Sequence, residues 1–183
     1  AGGVADDVVE AVRDQVVTVG ILPLPRPDDE ECWWPLMVSE APDMPRIIAR
    51  LPFIPADSKK KIGPEALVIC SVRQEESGRD HSFLGIDAEE DVGFGAIDKA
   101  LSQVGVSAVF NQLWHDPNPP AAWIYLVEVD DFLDSDGPGM RHLKDGLGPH
   151  IKSVVHLGGY AMPLNKADLE TDTLSDSTPE QGS

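Results

Sequence analysis

A chain of 183 residues can bury one full core or two small ones, which excludes a large multidomain enzyme. Apolar content is ordinary at 42 %, no apolar run approaches a membrane span, and the first residues lack the basic-then-apolar order of a secretory signal; a soluble, cytoplasmic protein is expected. The formal charge of −18, from 32 acids against 14 bases, repels phosphate backbones and anionic membrane surfaces and argues against nucleic acid or membrane as partners.

Val4, Val8, Val9 and Val12 recur at helical spacing among Asp6, Asp7, Glu10 and Arg13, which predicts an amphipathic helix over 4–15. The apolar run from Val16 to Leu22 predicts a buried strand, closed by Pro23 and Pro25. From Arg26 to Pro45, prolines, the acidic run Asp28-Asp29-Glu30-Glu31 and the doublet Trp33-Trp34 read as a loop pinned by aromatic side chains. Two further strands are predicted over Arg46 to Leu51 and Leu67 to Val72, joined by an exposed loop carrying Lys59-Lys60-Lys61. Cys70, inside the apolar run Leu67-Val68-Ile69, reads as a buried thiol in a reducing compartment.

Residues 78–163 carry a denser pattern. His81 to Ile86 predicts a strand, and Phe94, Ile97, Leu101 and Val104 form a helical stripe stopped by Gly105. Val106 to Leu113 and Trp123 to Val129 predict two strands on either side of the unpairable turn Asp116-Pro117-Asn118-Pro119-Pro120. A second helix is expected with Asp136 as N-cap, Pro138 at its start, and Met140, Leu143 and Leu147 facing inward. Ile151 to Leu157 predicts the last strand, with Ile151, Ser153, Val155 and Leu157 on one side. The order is the split βαββαβ unit. Residues 164–183, acidic and nearly free of apolar side chains, are expected to be disordered.

The element Phe94-Gly95-Ala96-Ile97, followed by Asp98-Lys99-Ala100-Leu101, and the ending Val155-His156-Leu157-Gly158-Gly159-Tyr160 resemble the ACT regulatory domain that follows the catalytic domain of prephenate dehydratases. The family's Glu-Ser-Arg-Pro element is replaced by Gln112-Leu113-Trp114-His115. Upstream, Val19-Gly20-Ile21-Leu22-Pro23-Leu24 resembles a dehydratase segment, yet Pro23-Leu24-Pro25-Arg26 stands where its acidic and amide residues belong, and the catalytic Thr-Arg-Phe element has no counterpart. The resemblance implies an α+β chain: a partial, degenerate dehydratase-like α/β lobe over 1–77, a ferredoxin-like ACT domain over 78–163, and the acidic tail. It further implies the C-terminal part of a bifunctional chorismate mutase–prephenate dehydratase type of protein in phenylalanine and tyrosine biosynthesis, the chain from Ala1 being a fragment that follows a helical mutase.

An amino-acid receptor must answer a carboxylate, an ammonium and a side chain. Unpaired amides of Gly93, Phe94, Gly95 and Ala96 at a helix start suit the carboxylate, and acids of the 87–91 run, Asp87 and Asp91 among them, suit the ammonium. The resemblance implies that Gln112, Leu113 and Trp114 complete the pocket across a homodimer boundary, with phenylalanine or tyrosine as effector. The same acids can equally stabilise the helix dipole with no ligand present. No histidine pair has metal spacing and no nucleophile motif or phosphate loop occurs, so no catalytic residue, metal or cofactor is expected. Alternative readings are residual dehydratase activity and a purely structural dimerisation domain.

Overall fold

A computed structural model describes residues 3–53 and 64–163. The lysine-bearing loop and the acidic tail of the sequence reading lie outside the described residues. Among the described residues, seven strands form one sheet: β1 (Val19–Pro23), β2 (Arg46–Leu51), β3 (Ala66–Cys70), β4 (Asp80–Ala88), β5 (Ala108–Asp116), β6 (Ala122–Val129) and β7 (Ile151–Ala161). The helices are α1 (Val4–Arg13), α2 (Phe94–Gln103) and α3 (Pro138–Leu147), and a 3-10 turn spans Trp34–Met37. None of these helices is long and apolar enough to cross a membrane.

Strand order across the sheet is β1-β3-β2-β7-β4-β6-β5. Every neighbouring pair is antiparallel except β2 with β7, which run parallel and meet at Ile47 and Gly158. The sequence boundary at 77/78 falls in the connection from β3 to β4, and the sheet continues across it through the β2–β7 contact. Two cores flank the sheet. α2 and α3 cover one face of β4 to β7, burying Leu84, Ile86, Tyr125, Val127, Leu101 and Leu143. On the other face, α1 and the 24–45 crossing bury Val12, Trp34, Met37, Ile47, Phe83 and Leu157 in a single apolar layer. The doublet Trp33-Trp34 is therefore core: Trp33 Nε1 donates to the Pro23 carbonyl at 3.1 Å and Trp34 Nε1 to Gln112 Oε1 at 3.2 Å. On the face opposite α2 and α3 the covering layer comes from the chain itself.

Three local expectations are corrected. Val16 and Val17 do not enter β1, because their amides both donate back to the Ala11 carbonyl and close α1; both side chains are exposed. α3 is capped by Gly137 rather than Asp136, with Pro138 as its first residue. The faces of β7 do not alternate simply. Register shifts against β4 at Phe83/Leu84 and Asp87/Ala88 send Ile151 and Val154 to the helix-side core and Val155 and Leu157 to the other. On β1, Val19 and Ile21 point away from α1 and stay exposed, whereas Gly20 lies under Val8 and Val12. Cys70 is buried and free, as read from the sequence.

Gly158 makes the closest approach in the sheet. Its φ is +103°, and a Cβ there would stand 2.1 Å from the Ile47 carbonyl oxygen and 2.5 Å from its nitrogen. Backbone cannot retreat as a side-chain tip can. Gly158→Ala should therefore lower stability by about 3 kcal/mol or more, read as a shifted midpoint in urea unfolding. Gly95→Ala, in a helix with open space around it, should instead stabilise by about 0.5–1 kcal/mol.

Candidate functional site

The loop 87–96 runs from the end of β4 into α2. Gly93 is the N-cap with φ +73°, and no side chain caps the helix. Tyr125 organises the approach: its hydroxyl donates to Asp91 Oδ1 at 2.6 Å and accepts the Val92 amide at 3.0 Å. Asp91 Oδ1 also takes the Gly93 amide at 2.9 Å, and Phe94 packs edge-on against the Tyr125 ring. Burial and the Asp91 hydrogen bond both raise the Tyr125 pKa, so the phenol stays protonated as a donor. Beyond this cradle, Gly95 and Ala96 are exposed at the first turn of α2. Asp87 sits back along β4 with Lys152 Nζ at 3.5 Å.

The remaining candidates divide by the strand's period of two. Leu113 lies opposite Tyr125 in the β5–β6 pair and packs into the helix-side core, on the side of the loop. Gln112 and Trp114 face the other way. Gln112 is buried and serves the crossing, with Nε2 donating to the Arg26 carbonyl at 2.9 Å and Oε1 accepting from Trp34. Trp114 packs against the layer beneath α1 and the crossing. Within one chain the structure thus gathers Asp91, Gly93, Phe94, Gly95, Ala96 and Leu113, and sends Gln112 and Trp114 to the opposite face.

A second polar constellation was not legible as a motif. Arg50 of β2, His81 of β4, Glu128 of β6 and Tyr160 of β7 converge on the face opposite α2 and α3; the first three, with Phe83 and Phe110, wall a cavity of about 300 Å³. The Tyr160 hydroxyl donates to Glu128 Oε1 and accepts Arg50 Nη1 at 2.9 Å. His81 Nδ1 lies 2.8 Å from the same Glu128 oxygen. Arg50 Nη2 is paired with Glu65 at 2.7 Å. Burial and the neighbouring Glu128 carboxylate push the Tyr160 pKa up, which keeps its proton in place. Burial alone would lower the Arg50 pKa, but its hydrogen bonds to Glu65 and Tyr160 outweigh that and hold the guanidinium charged. The result is a fixed cation and a fixed carboxylate bordering an aromatic-walled space. Its one sequence signal was Glu128, a lone acid in the apolar run Ile124 to Val129. No group of three or more histidine, cysteine or acidic side chains suited to a metal occurs among the described residues.

No protein-family model matches the chain, and no curated protein matches it. Solved structures do. One, described as GqqA, a novel type of quorum quenching acylase, superposes with a TM-score of 0.57 at 13 % identity, over 88 % of this chain and 80 % of that one. Another, prephenate dehydratase from Streptococcus mutans, gives a TM-score of 0.55 at 14 % identity, over 86 % of this chain and 82 % of that one. At such identities the likeness is one of fold. The chain shares that fold across both its front strands and its C-terminal half.

The Arg50–Tyr160–Glu128 bonds join β2, β7 and β6, so they also carry stability. Tyr160→Phe leaves the buried Glu128 short of a donor and should cost about 1–3 kcal/mol in urea unfolding. Substituting the exposed Val109 at the cavity mouth by Thr should cost under about 0.5 kcal/mol.

Proposed function

We propose that this chain is a regulatory amino-acid-binding module of the ACT type, serving aromatic amino acid biosynthesis as the C-terminal part of a chorismate mutase-type protein. The observation that carries the reading is the strand order β7-β4-β6-β5 built from the chain order β4-α2-β5-β6-α3-β7, with both helices on one face. That order supports reading the split βαββαβ unit as ferredoxin-like. The glycine-opened, uncapped start of α2 and the Leu157-Gly158-Gly159-Tyr160 ending add to it, as does the fold shared with a prephenate dehydratase.

In this reading the effector's carboxylate meets the free first-turn amides of α2 at Gly95 and Ala96, and its ammonium pairs with the acidic 87–91 run. Leu113 offers apolar contact from one chain. Trp114, half-buried on the opposite face, enters only through a partner subunit, so a homodimer is part of the proposal; Gln112, held by Trp34 and the Arg26 carbonyl of its own chain, is left out of it. A ligand that binds one dimer arrangement better than another shifts the attached enzyme by that difference in affinity.

A second, catalytic reading is favoured by one observation, the His81–Glu128 pair at the junction cavity. A histidine held by a carboxylate is the usual shape of a general acid or base. The two readings part in the assay. Calorimetry with phenylalanine, tyrosine and tryptophan should show binding by at least one of the first two. That binding should be lost in Ala96→Glu, which suits the helix start but repels a carboxylate. Arg50→Met should keep it. Absence of heat with all three amino acids would sink the regulatory reading, and phenylpyruvate release from prephenate, abolished in Glu128→Gln, would establish the catalytic one.

A further inference from the structure

A smaller recess, about 60 Å³, opens where β2 and β7 meet the connections before β4 and after β6. It is walled by Arg46, Arg73, Gln74, Phe132, Asp134 and His156. Four buried side-chain polar atoms among the described residues have no hydrogen-bond partner, and three of them belong to residues of this wall: Arg46 Nη1, Gln74 Oε1 and His156 Nε2. Native proteins rarely leave such atoms unanswered, and three at one recess specify something polar that fills it. His156 is only 9 % exposed, with its ring edge-on to Phe132 at 6.0 Å.

Two arginines line the recess against one acid. Arg46 comes from β2 and Arg73 from the β3–β4 connection; Asp134, after β6, is the acid facing them, while Arg73 has Asp136 at 3.6 Å. Burial and Arg73 lower the Arg46 pKa, the mark of a cation without a close counter-charge. Burial first, and then Arg46, drive the His156 pKa down to about 4, against a smaller opposing pull from Asp134. The Gln74 amide has a fixed direction, because its Nε2 donates toward Asp80 Oδ1 at 3.3 Å and the His81 carbonyl at 3.5 Å. Its Oε1 therefore needs a donor.

We propose that this recess binds a small organic acid, its carboxylate taking the donors of Arg46 Nη1 and His156 Nε2 and a hydroxyl or ammonium on the adjacent carbon donating to Gln74 Oε1. A planar carboxylate answers a guanidinium at one charge against one. The space, some four to six water-sized volumes by the usual measure of about 10–15 Å³ each, fits a carboxylate with one or two carbons behind it. The recess is separate from the 87–96 loop, and neither reading of the preceding subsection is needed for it.

The test uses the chain labelled at histidine, with the His156 imidazole resonances assigned by loss in His156→Gln, at about pH 5.5 and constant ionic strength. An anion beside the ring favours its protonated form, so binding raises the His156 pKa and tightens as pH falls from about 6 to 5. Lactate should move the His156 signals toward imidazolium, with affinity about fivefold or more above that of propionate, which lacks the hydroxyl. Arg46→Gln should weaken lactate about tenfold; because Arg46 is partly buried, Arg73→Ala at the exposed rim gives a second variant, expected to weaken it about twofold. Equal affinity for propionate would overturn the assignment to Gln74. An equal response to inorganic phosphate would overturn the carboxylate selectivity. His156 signals unmoved by lactate, propionate and phosphate up to about 50 mM would mean that water alone fills the recess, and would overturn the proposal.

Discussion

The contact of β7 with β2 at Gly158 is the constraint on which the rest of the architecture turns. A parallel pair that touches at Ile47 and Gly158 is all that joins three front strands to four rear ones within the sheet, and the backbones approach too closely for any Cβ. Around this point the chain adds cross-links of other kinds. The apolar layer beneath α1 and the crossing draws residues from both halves, and Arg50 reaches from β2 to Tyr160 on β7. Both polar recesses lie beside the same seam, one on each face, because a seam with glycine instead of side chains leaves room for polar heads from neighbouring strands.

The buried polar groups on the two faces behave differently. Glu128 is engaged through Oε1, with Tyr160 donating to it and His81 beside it, so its burial is offset by hydrogen bonds. Arg46 and His156 are not. One side of the seam is an internal hydrogen-bonded network with an aromatic-walled space at its border, and the other holds Arg46 Nη1, His156 Nε2 and Gln74 Oε1, none of them with a hydrogen-bond partner among the described residues. The cross-strand alternation decides which residues go where: Ile47 points to the apolar layer, and Arg46, one position earlier, points to the other side.

Much of the fold was legible from local pattern. The stripe Ile97, Leu101 with its stop at Gly105, the turn of prolines after Asp116 and the apolar strands around them are each fixed by neighbours in sequence, and they occur where the pattern places them. The errors lie where nonlocal contacts win. Val16 and Val17 look like strand but are held by the Ala11 carbonyl, and the side taken by Ile151 depends on a register shift against β4 that no pattern within β7 encodes. The same rule governs the sites. The loop 87–96 is contiguous and could be read, whereas Arg50, His81, Glu128 and Tyr160 come from four strands and meet only once the sheet is assembled. Gln112 shows the limit from the other direction: its bonds to Trp34 and the Arg26 carbonyl depend on a crossing far away in sequence that no pattern within β5 encodes.

The width of a helix has a final consequence for this sheet. A helix with its side chains is about 10 Å across and strands lie about 4.8 Å apart, so a pair of helices roofs about four strands. α2 and α3 are used up over β4 to β7, and no third helix of the described chain reaches the same side of β1, β3 and β2. Val19 and Ile21 are left bare there, 48 % and 59 % exposed. Mutual repulsion between copies bearing a formal charge of −18 opposes the adhesion that such a bald strip invites, so the acidity of the chain acts as a solubilising counterweight to its unfinished roof.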